Sequence, residues 1–289
     1  MKEEILVIIN PRSGKGRAIK DLQNEFGRHS VEVTFREIGR MRNEELYHDI
    51  DNRFTKVFIA GGDGTIHHVI NQILHHQVPI GILPFGTGND YVKNYSKPKC
   101  NSEYIDRMLE GSVMESPVGL CNSNSFINGV GVGFDGQIIQ NMSLSPSWFT
   151  GHAAYYYHVL KILGFYKEKR IKVRIDDETF EDEYLLVLVG LGKYFGGGFK
   201  LLPQSKPGQD QLSVCLIRKI APWRRFVNLP LLESGTHGKI PEVDLITANE
   251  VHIESPEALG QIDGEKGGAL PYSIRLHELK AKIIVPRAI

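Results

Sequence analysis

The sequence is short of cysteine, of charge imbalance and of long apolar runs, and each shortage removes a class of explanation. Cys100, Cys121 and Cys215 are far apart, odd in number and without metal-ligand spacing. They build neither a disulfide framework nor a zinc site, and they point to a reduced, intracellular protein. Lys plus Arg and Asp plus Glu number 34 each in 289 residues, so the charge carries no nucleic-acid footprint. No apolar stretch approaches the ~20 residues of a membrane-spanning helix. The opening run Ile5-Leu6-Val7-Ile8-Ile9 follows acids and ends at Asn10-Pro11 with no small-residue cleavage site, so it reads as a strand rather than a signal peptide. Low-complexity tracts and internal repeats are missing too. What remains is a globular chain long enough for one large domain or two ordinary ones, with peripheral membrane contact left open.

Glycine is plentiful, and its placement is the main signal. Gly61-Gly62-Asp63-Gly64-Thr65 and Gly86-Thr87-Gly88-Asn89-Asp90 each follow an apolar, strand-like run. Small residues let backbone N–H groups approach phosphate oxygens, and an acid in the same turn is a hard ligand for Mg²⁺. The pair therefore points to phosphoryl transfer, with Asp63 the first metal candidate and Asp90 beside it as a metal or nucleotide ligand. Thr65 reads as a helix cap or a phosphate donor. Asn10-Pro11-Arg12-Ser13-Gly14-Lys15-Gly16 is not a Walker A loop, because Ile9 and Gly16 stand where that pattern needs Gly and Ser or Thr. A looser phosphate role for Ser13, Gly14 and Lys15 and a solvated basic turn both fit it. Asp263-Gly264-Glu265 likewise has two readings: a charged hairpin turn, or a base at Asp263 for an alcohol proton with Glu265 nearer the metal. His67-His68 and His75-His76 read as surface pairs on one helix. Tyr155-Tyr156-Tyr157 reads as core or as the wall of an apolar groove. Trp148-Phe149 reads as a packed loop first and a membrane contact second, and Trp223-Arg224-Arg225-Phe226 as a solvated helix start or a contact with anionic lipid.

The first third alternates strand and helix. Strands are expected at 5–9, 31–35, 56–60 and 78–83, with helices at 17–27, 43–50 and 66–76, which implies a mostly parallel sheet with ligands beyond its carboxyl ends. After residue 115 the pattern changes. One helix at 151–165 is followed by strands near 171–176, 184–189, 212–217, 243–247, 250–254 and 273–277. The fold class is thus an α/β nucleotide-binding domain over 1–118, completed by a C-terminal strand within 280–289, and a predominantly antiparallel, sandwich-like β domain over 119–279. The two are expected to share a cleft.

The order of these motifs resembles the diacylglycerol kinase catalytic-domain family, which includes bacterial lipid kinases and is related to sphingosine kinases. Asn10-Pro11 with Ser13-Gly14, Gly61–Thr65 continued by Ile66 and Asn71, and Gly86–Asp90 match its nucleotide loops. Gly129-Val130-Gly131-Val132-Gly133-Phe134-Asp135, Gly151 with Ala154-Tyr155, Gly196-Gly197-Gly198, Pro203 and Asp263-Gly264-Glu265 match the remainder. The resemblance implies transfer of the γ-phosphoryl group of ATP, with Mg²⁺, to a lipid alcohol such as diacylglycerol. It implies Asn10, Ser13, Gly14, Lys15, Gly61–Thr65, Gly86–Asp90 and Glu265 at the nucleotide, with Asp63, Asp90 and Glu265 at the metal. Asp263 becomes the base and Asp135 a head-group contact. It further implies a cytoplasmic enzyme that visits the inner membrane face transiently to reach its lipid; a homodimer through a strand edge stays open. Two positions depart. Gln209 stands where the family carries an acid linked to a structural metal, leaving Asp210, displaced by one residue, as the metal ligand expected there, and Leu191 stands where Asn is usual. A non-catalytic lipid- or nucleotide-binding regulator and a soluble-substrate kinase of the NAD-kinase type are the alternatives.

Overall fold

The computed structural model describes residues 4–13, 18–95, 100–144 and 152–287. The chain divides into two compact units, one built from the residues up to Pro117 with those from Glu278 onward, the other from Val118 to His277.

In the first unit, buried apolar runs become the parallel strands β1 (Glu4–Ile9), β3 (Lys56–Gly61) and β4 (Ile80–Pro84), while β2 (Glu32–Glu37) is more exposed and lies at the edge. Strands that read as continuous Ile, Leu and Val are those buried on both faces. The helices are α1 (Ala18–Phe26), α2 (Asn43–Tyr47), α3 (Ile50–Arg53), α4 (Asp63–Ile73) and α5 (Ser102–Leu109). The sheet is completed by β5 (Ser112–Ser116) and the last strand, β17 (Ala281–Val285). Its order is β2-β1-β3-β4-β17-β5. β17 lies parallel to β4 and antiparallel to β5. From β1 the chain leaves to β2 on one side and returns to β3 on the other, so the sheet has a switch point between the carboxyl ends of β1 and β3. That is where open α/β sheets hold ligands. Helix α4 begins at Asp63, earlier than the apolar periodicity from Ile66 suggests, because Gly62 in an extended conformation serves as its N-cap.

The second unit is a mixed assembly of β6 (Gly119–Cys121), β7 (Asn124–Phe126), β8 (Gly129–Gly133), β9 (Lys169–Ile175), β10 (Glu178–Gly190), β11 (Leu212–Arg218), β12 (Val243–Ala248), β13 (Glu250–Glu254), β14 (Gly260–Ile262), β15 (Glu265–Lys266) and β16 (Tyr272–Leu276). All their pairings are antiparallel. Strand β10 is shared: its charged first half pairs with β9, and its apolar second half lies between β8 and β11. Val187 and Val189 point into one core, and Leu186 and Leu188 into another on the opposite face. That explains the unbroken apolar run there. The second core is covered by α7 (His152–Leu163) and α8 (Pro222–Ser234), with α6 (Phe134–Ser143) leading out of β8. The fold class expected from sequence, α/β followed by a sandwich-like antiparallel unit, is the one observed. The thirteen-residue α8 has no counterpart in the sequence expectations beyond a helix start at Trp223.

Candidate active site

At the end of β1, Asn10 N donates to the Ala60 carbonyl of β3 at 3.1 Å. The Asn10 Nδ2 donates to Thr65 Oγ1 at 2.9 Å, while its Oδ1 accepts from Arg12 N. This turn is thereby fastened to the first turn of α4. Gly61 is required because a Cβ there would lie 2.4 Å from Thr65 Cβ. Gly86 and Gly62 are required by each other: a Cβ on Gly86 would approach the Gly62 Cα to 2.4 Å. The two glycine runs touch backbone to backbone.

Asp63 closes the arrangement. Its Oδ2 accepts from Asp90 N at 3.1 Å and its Oδ1 from Tyr91 N at 3.0 Å, so the acid of the first run holds the second in place. Asp90 is buried and pairs with Lys93 Nζ at 2.7 Å. Asn89 adopts a left-handed φ of 50° and donates from Nδ2 to the Gly86 carbonyl, leaving its buried Oδ1 with no hydrogen-bond partner. Buried polar atoms are rarely left so. An orphan acceptor, a glycine cradle and a helix start with no capping side chain fit a polar, anionic ligand that also offers a donor. Ser13 lies in the same turn as Asn10, its N–H donating to the Asn10 carbonyl. Thr87 is exposed and Gly88 half-buried. Gly14 and Lys15 lie outside the described residues.

The second unit presents its own cluster. In β8, Val130 and Val132 enter the core, while the alternate glycines leave room on the other face. Into that room comes Asp135 from the first turn of α6: a Cβ on Gly131 would lie 2.3 Å from its Oδ2. The same oxygen accepts from Gln261 Nε2 at 2.6 Å, and Gln261 Oε1 accepts from Gly264 N at 2.6 Å. Gln261 was not singled out by sequence; its register opposite Gly131 is the only trace of its role.

Asp263-Gly264 is the two-residue tip of the β14–β15 hairpin, with φ of 48° and 86°. The hairpin reading is therefore the local structure. Its acid is also buttressed: Oδ1 accepts from Asn128 N and Gly129 N, and Oδ2 from Ile127 N, all within 2.9 Å. Asn128 in turn donates from Nδ2 to the Tyr194 carbonyl, at the start of the loop where Gly196, Gly197 and Gly198 all have positive φ. Tyr156 packs its ring against Phe199 at the end of that loop, whereas Tyr157 is exposed. Trp148, Phe149 and Gly151 lie outside the described residues. Among the described residues, no helix is long and apolar enough to cross a membrane.

The four expected metal ligands divide between the units, Asp63 and Asp90 in the first, Asp210 and Glu265 in the second. Among the described residues no three His, Cys, Asp or Glu side chains gather as a metal site. At the departure from the family pattern, Asp210 is exposed, and Gln209 turns into its loop. Gln209 Oε1 accepts from Lys206 N at 2.8 Å, and Nε2 donates to the Gln211 carbonyl and Ser213 Oγ at 2.9 and 3.0 Å. A carboxamide does there what a carboxylate with a cation would do, so these residues do not fit a structural metal. Leu191 packs into the core of the β unit.

Comparison with known proteins gives the same outline. Residues 4–121 match the family model described as the diacylglycerol kinase catalytic domain, and residues 128–289 match the YegS C-terminal NAD kinase beta sandwich-like domain. The chain belongs to the diacylglycerol kinase catalytic-domain family. A diacylglycerol kinase of Staphylococcus saprophyticus is 29% identical over 282 residues, covering 94% of this chain and 92% of the relative. One from Staphylococcus carnosus is 27% identical, with 94% and 91% covered. The fold is similar to that of a putative diacylglycerol kinase from Bacillus anthracis, with a TM-score of 0.77, 20% identity and 99% of both chains covered. Membership supports a phosphotransferase of the kinase class and implies the use of ATP and Mg²⁺.

Proposed function

We propose that this protein is an ATP-dependent lipid kinase, transferring the γ-phosphoryl group of ATP to the hydroxyl of a lipid alcohol such as diacylglycerol. The observation that carries this reading is the joining of Asn10, the Gly61–Thr65 turn and the Gly86–Asp90 turn into one hydrogen-bonded cluster at the switch point of a parallel sheet. Gly61, Gly62 and Gly86 keep backbone close to a polyphosphate, and Thr65, Asn10 and Ser13 line it. Asp63 and Asp90 would hold Mg²⁺. When bound, Mg²⁺–ATP supplies the phosphoryl group and offsets the charge on its oxygens.

Asp263 is assigned the acceptor's proton. The 127–129 amides fix the direction of that carboxylate before any substrate arrives. Asp135, oriented by Gln261, is assigned to the polar head of the lipid. The protein works in the cytoplasm and touches the inner membrane face transiently.

The test is γ-³²P transfer from ATP–Mg²⁺ into a total lipid extract, with NAD as a parallel soluble acceptor. A labelled lipid that disappears in the Asp63→Asn variant supports the reading and identifies the substrate. Labelled dinucleotide would replace it with a soluble-substrate kinase, and ATP and lipid binding without turnover with a regulator.

A further inference from the structure

Helix α8 carries large apolar side chains on both faces, Leu229, Leu231 and Leu232 packing on the core. The deepest residue on its inner face is an arginine, Arg225, only 5% exposed, whose guanidinium donates to the carbonyls of Ile220, Leu163 and Tyr166 and to the Glu168 carboxylate. Leu163 is the last residue of α7, so Arg225 caps that helix and bolts α8 to it. The outer face follows the spacing that normally marks a core stripe, i, i+3, i+4, i+7, with Trp223, Phe226, Val227 and Pro230. Trp223 is 68% exposed and Val227 64%. Phe226 lies against Gly164, just beyond α7, where a Cβ would meet its ring at 3.5 Å. The stripe thus runs on to Leu160 and to Phe165, which is 88% exposed. Large apolar side chains gathered this way on an otherwise soluble-looking surface mark an interaction site.

Charge says what kind. Residues 152–167 and 219–234 contain Lys161, Lys167, Lys219, Arg224 and Arg225 against one acid, the exposed Glu233 near the end of α8. Arg225 is spent on Glu168, Arg224 on Glu242 and Lys219 on Glu183. Lys161 and Lys167 are exposed on the α7 side, with Lys161 Nζ 5.6 Å from the centre of the Tyr157 ring. An outward apolar stripe with Trp, Phe and Tyr, with Lys161 and Lys167 beside it, has the chemistry of a helix lying in the interface of a negatively charged bilayer.

We propose that the outer stripe of α8, continued by Leu160 and Phe165, is the surface by which this protein docks on an anionic membrane. Its purpose rests on the reading of the substrate as a membrane lipid, but its chemistry does not. Arg225 gives the device its rigidity: by holding α8 through backbone carbonyls and a buried ion pair, it leaves the large side chains of the stripe for the bilayer.

The experiment is co-sedimentation of the full chain, without nucleotide, with vesicles of phosphatidylcholine alone or mixed with phosphatidylglycerol. The wild type should partition onto the mixed vesicles. Trp223→Ser with Val227→Ser should lower that partitioning about tenfold or more, since each large apolar side chain withdrawn from water is worth roughly that factor. Lys161→Gln with Lys167→Gln should weaken binding to the mixed vesicles and leave binding to phosphatidylcholine unchanged. Both pairs are exposed, and an unchanged thermal melt confirms that the fold survives. Wild-type partitioning by the Trp223/Val227 variant overturns the proposal. So does a dimer, seen by sedimentation velocity, that this variant dissolves without altering vesicle binding: the stripe then belongs to a second copy. Lipid phosphorylation assayed in parallel separates the two readings. Labelled lipid with unaltered docking by the variant defeats the surface alone; docking that the variant abolishes, with no lipid ever labelled by the wild type, defeats the kinase alone.

Discussion

Two acids flanked by glycine, Asp63 and Asp263, are handled by the same device in the two units. Each carboxylate is pinned by successive backbone N–H groups of a neighbouring turn, 90–91 for Asp63 and 127–129 for Asp263. What surrounds them differs. Asp63 opens an eleven-residue helix at a place where two glycine backbones touch, whereas Asp263 caps a hairpin whose Gly264 has nothing within 4 Å of a would-be Cβ. Glycine serves close approach in the first case and backbone conformation in the second. The same short sequence signal therefore carries different tolerances, which substitution can expose.

The largest effect is expected at Gly86. Gly86→Ala drives a methyl into the Gly62 Cα, and backbone cannot step aside as a side chain would. Phosphoryl transfer should fall by about 100-fold or more, with a lowered melting temperature. Gly264→Asn meets no such wall, and Asn tolerates positive φ, so it should retain most activity and cost less than about 1 kcal/mol. Equal damage at the two positions would erase the distinction between close approach and conformation.

Next come the acids themselves. Asp63→Asn replaces one acceptor of a backbone N–H by a donor, so it should cost about 1–3 kcal/mol of stability besides at least ~100-fold in transfer rate. Asp263→Asn loses the acceptor for Ile127 or disturbs the pair at Asn128 and Gly129, with a similar loss of stability. The proposed base role adds a kinetic signature: kcat should fall while the KM for ATP changes little. Denaturant melts and steady-state kinetics on both variants check this. An Asp263→Asn variant that melts early but turns over normally would leave Asp263 a structural anchor only.

A smaller effect separates the Gln209 loop from the metal-bearing pattern. Because its carboxamide donates to the Gln211 carbonyl and Ser213 Oγ and accepts from Lys206 N, the wild-type melting temperature should not respond to EDTA or added Mg²⁺. Gln209→Ala should lower stability by about 1–2 kcal/mol. A melting temperature that chelation lowers would restore a structural cation to this loop.

Much of this was legible in the sequence because glycine and apolar runs report directly on backbone. The strand-end position of Gly61–Thr65 and Gly86–Asp90, the parallel first unit and the antiparallel second all follow from local pattern. The links between elements were not. Gln261 joins Asp135 to the Asp263 hairpin, yet a lone Gln beside a glycine carries no local mark. Asn128 and the Asp63 bonds to 90–91 depend on which turns the fold brings together. Helix α8 escaped for a further reason. Periodicity arguments assume the apolar face is the buried one, and here Arg225 goes in and Trp223 stays out. The charged first half of β10 was hidden similarly, because its cross-strand partners Arg170 and Lys172 on β9 are charged as well.

The mildest test concerns pH and the β unit alone. His237 is fully buried, its Nε2 3.2 Å from the Leu201 carbonyl, which requires the proton on that nitrogen, and 3.8 Å from Cys215 Sγ. Burial, partly opposed by backbone hydrogen bonding, holds its pKa below the ordinary 6.5; burial and Lys161 do the same to His158. In the unfolded chain both imidazoles take up a proton as pH falls through about 6.5, while in the folded protein they do so only at lower pH. The unfolded state then binds more protons, so the stability these sites contribute is complete above that pH and declines below it. The melting temperature should therefore drop between neutral pH and pH ~5.5, and His237→Asn should flatten the slope while lowering the plateau. Among the described residues the first unit has no buried imidazole. A melt that keeps its full pH dependence in His237→Asn and His158→Asn together would move the sensitivity out of the β unit, to groups other than these two.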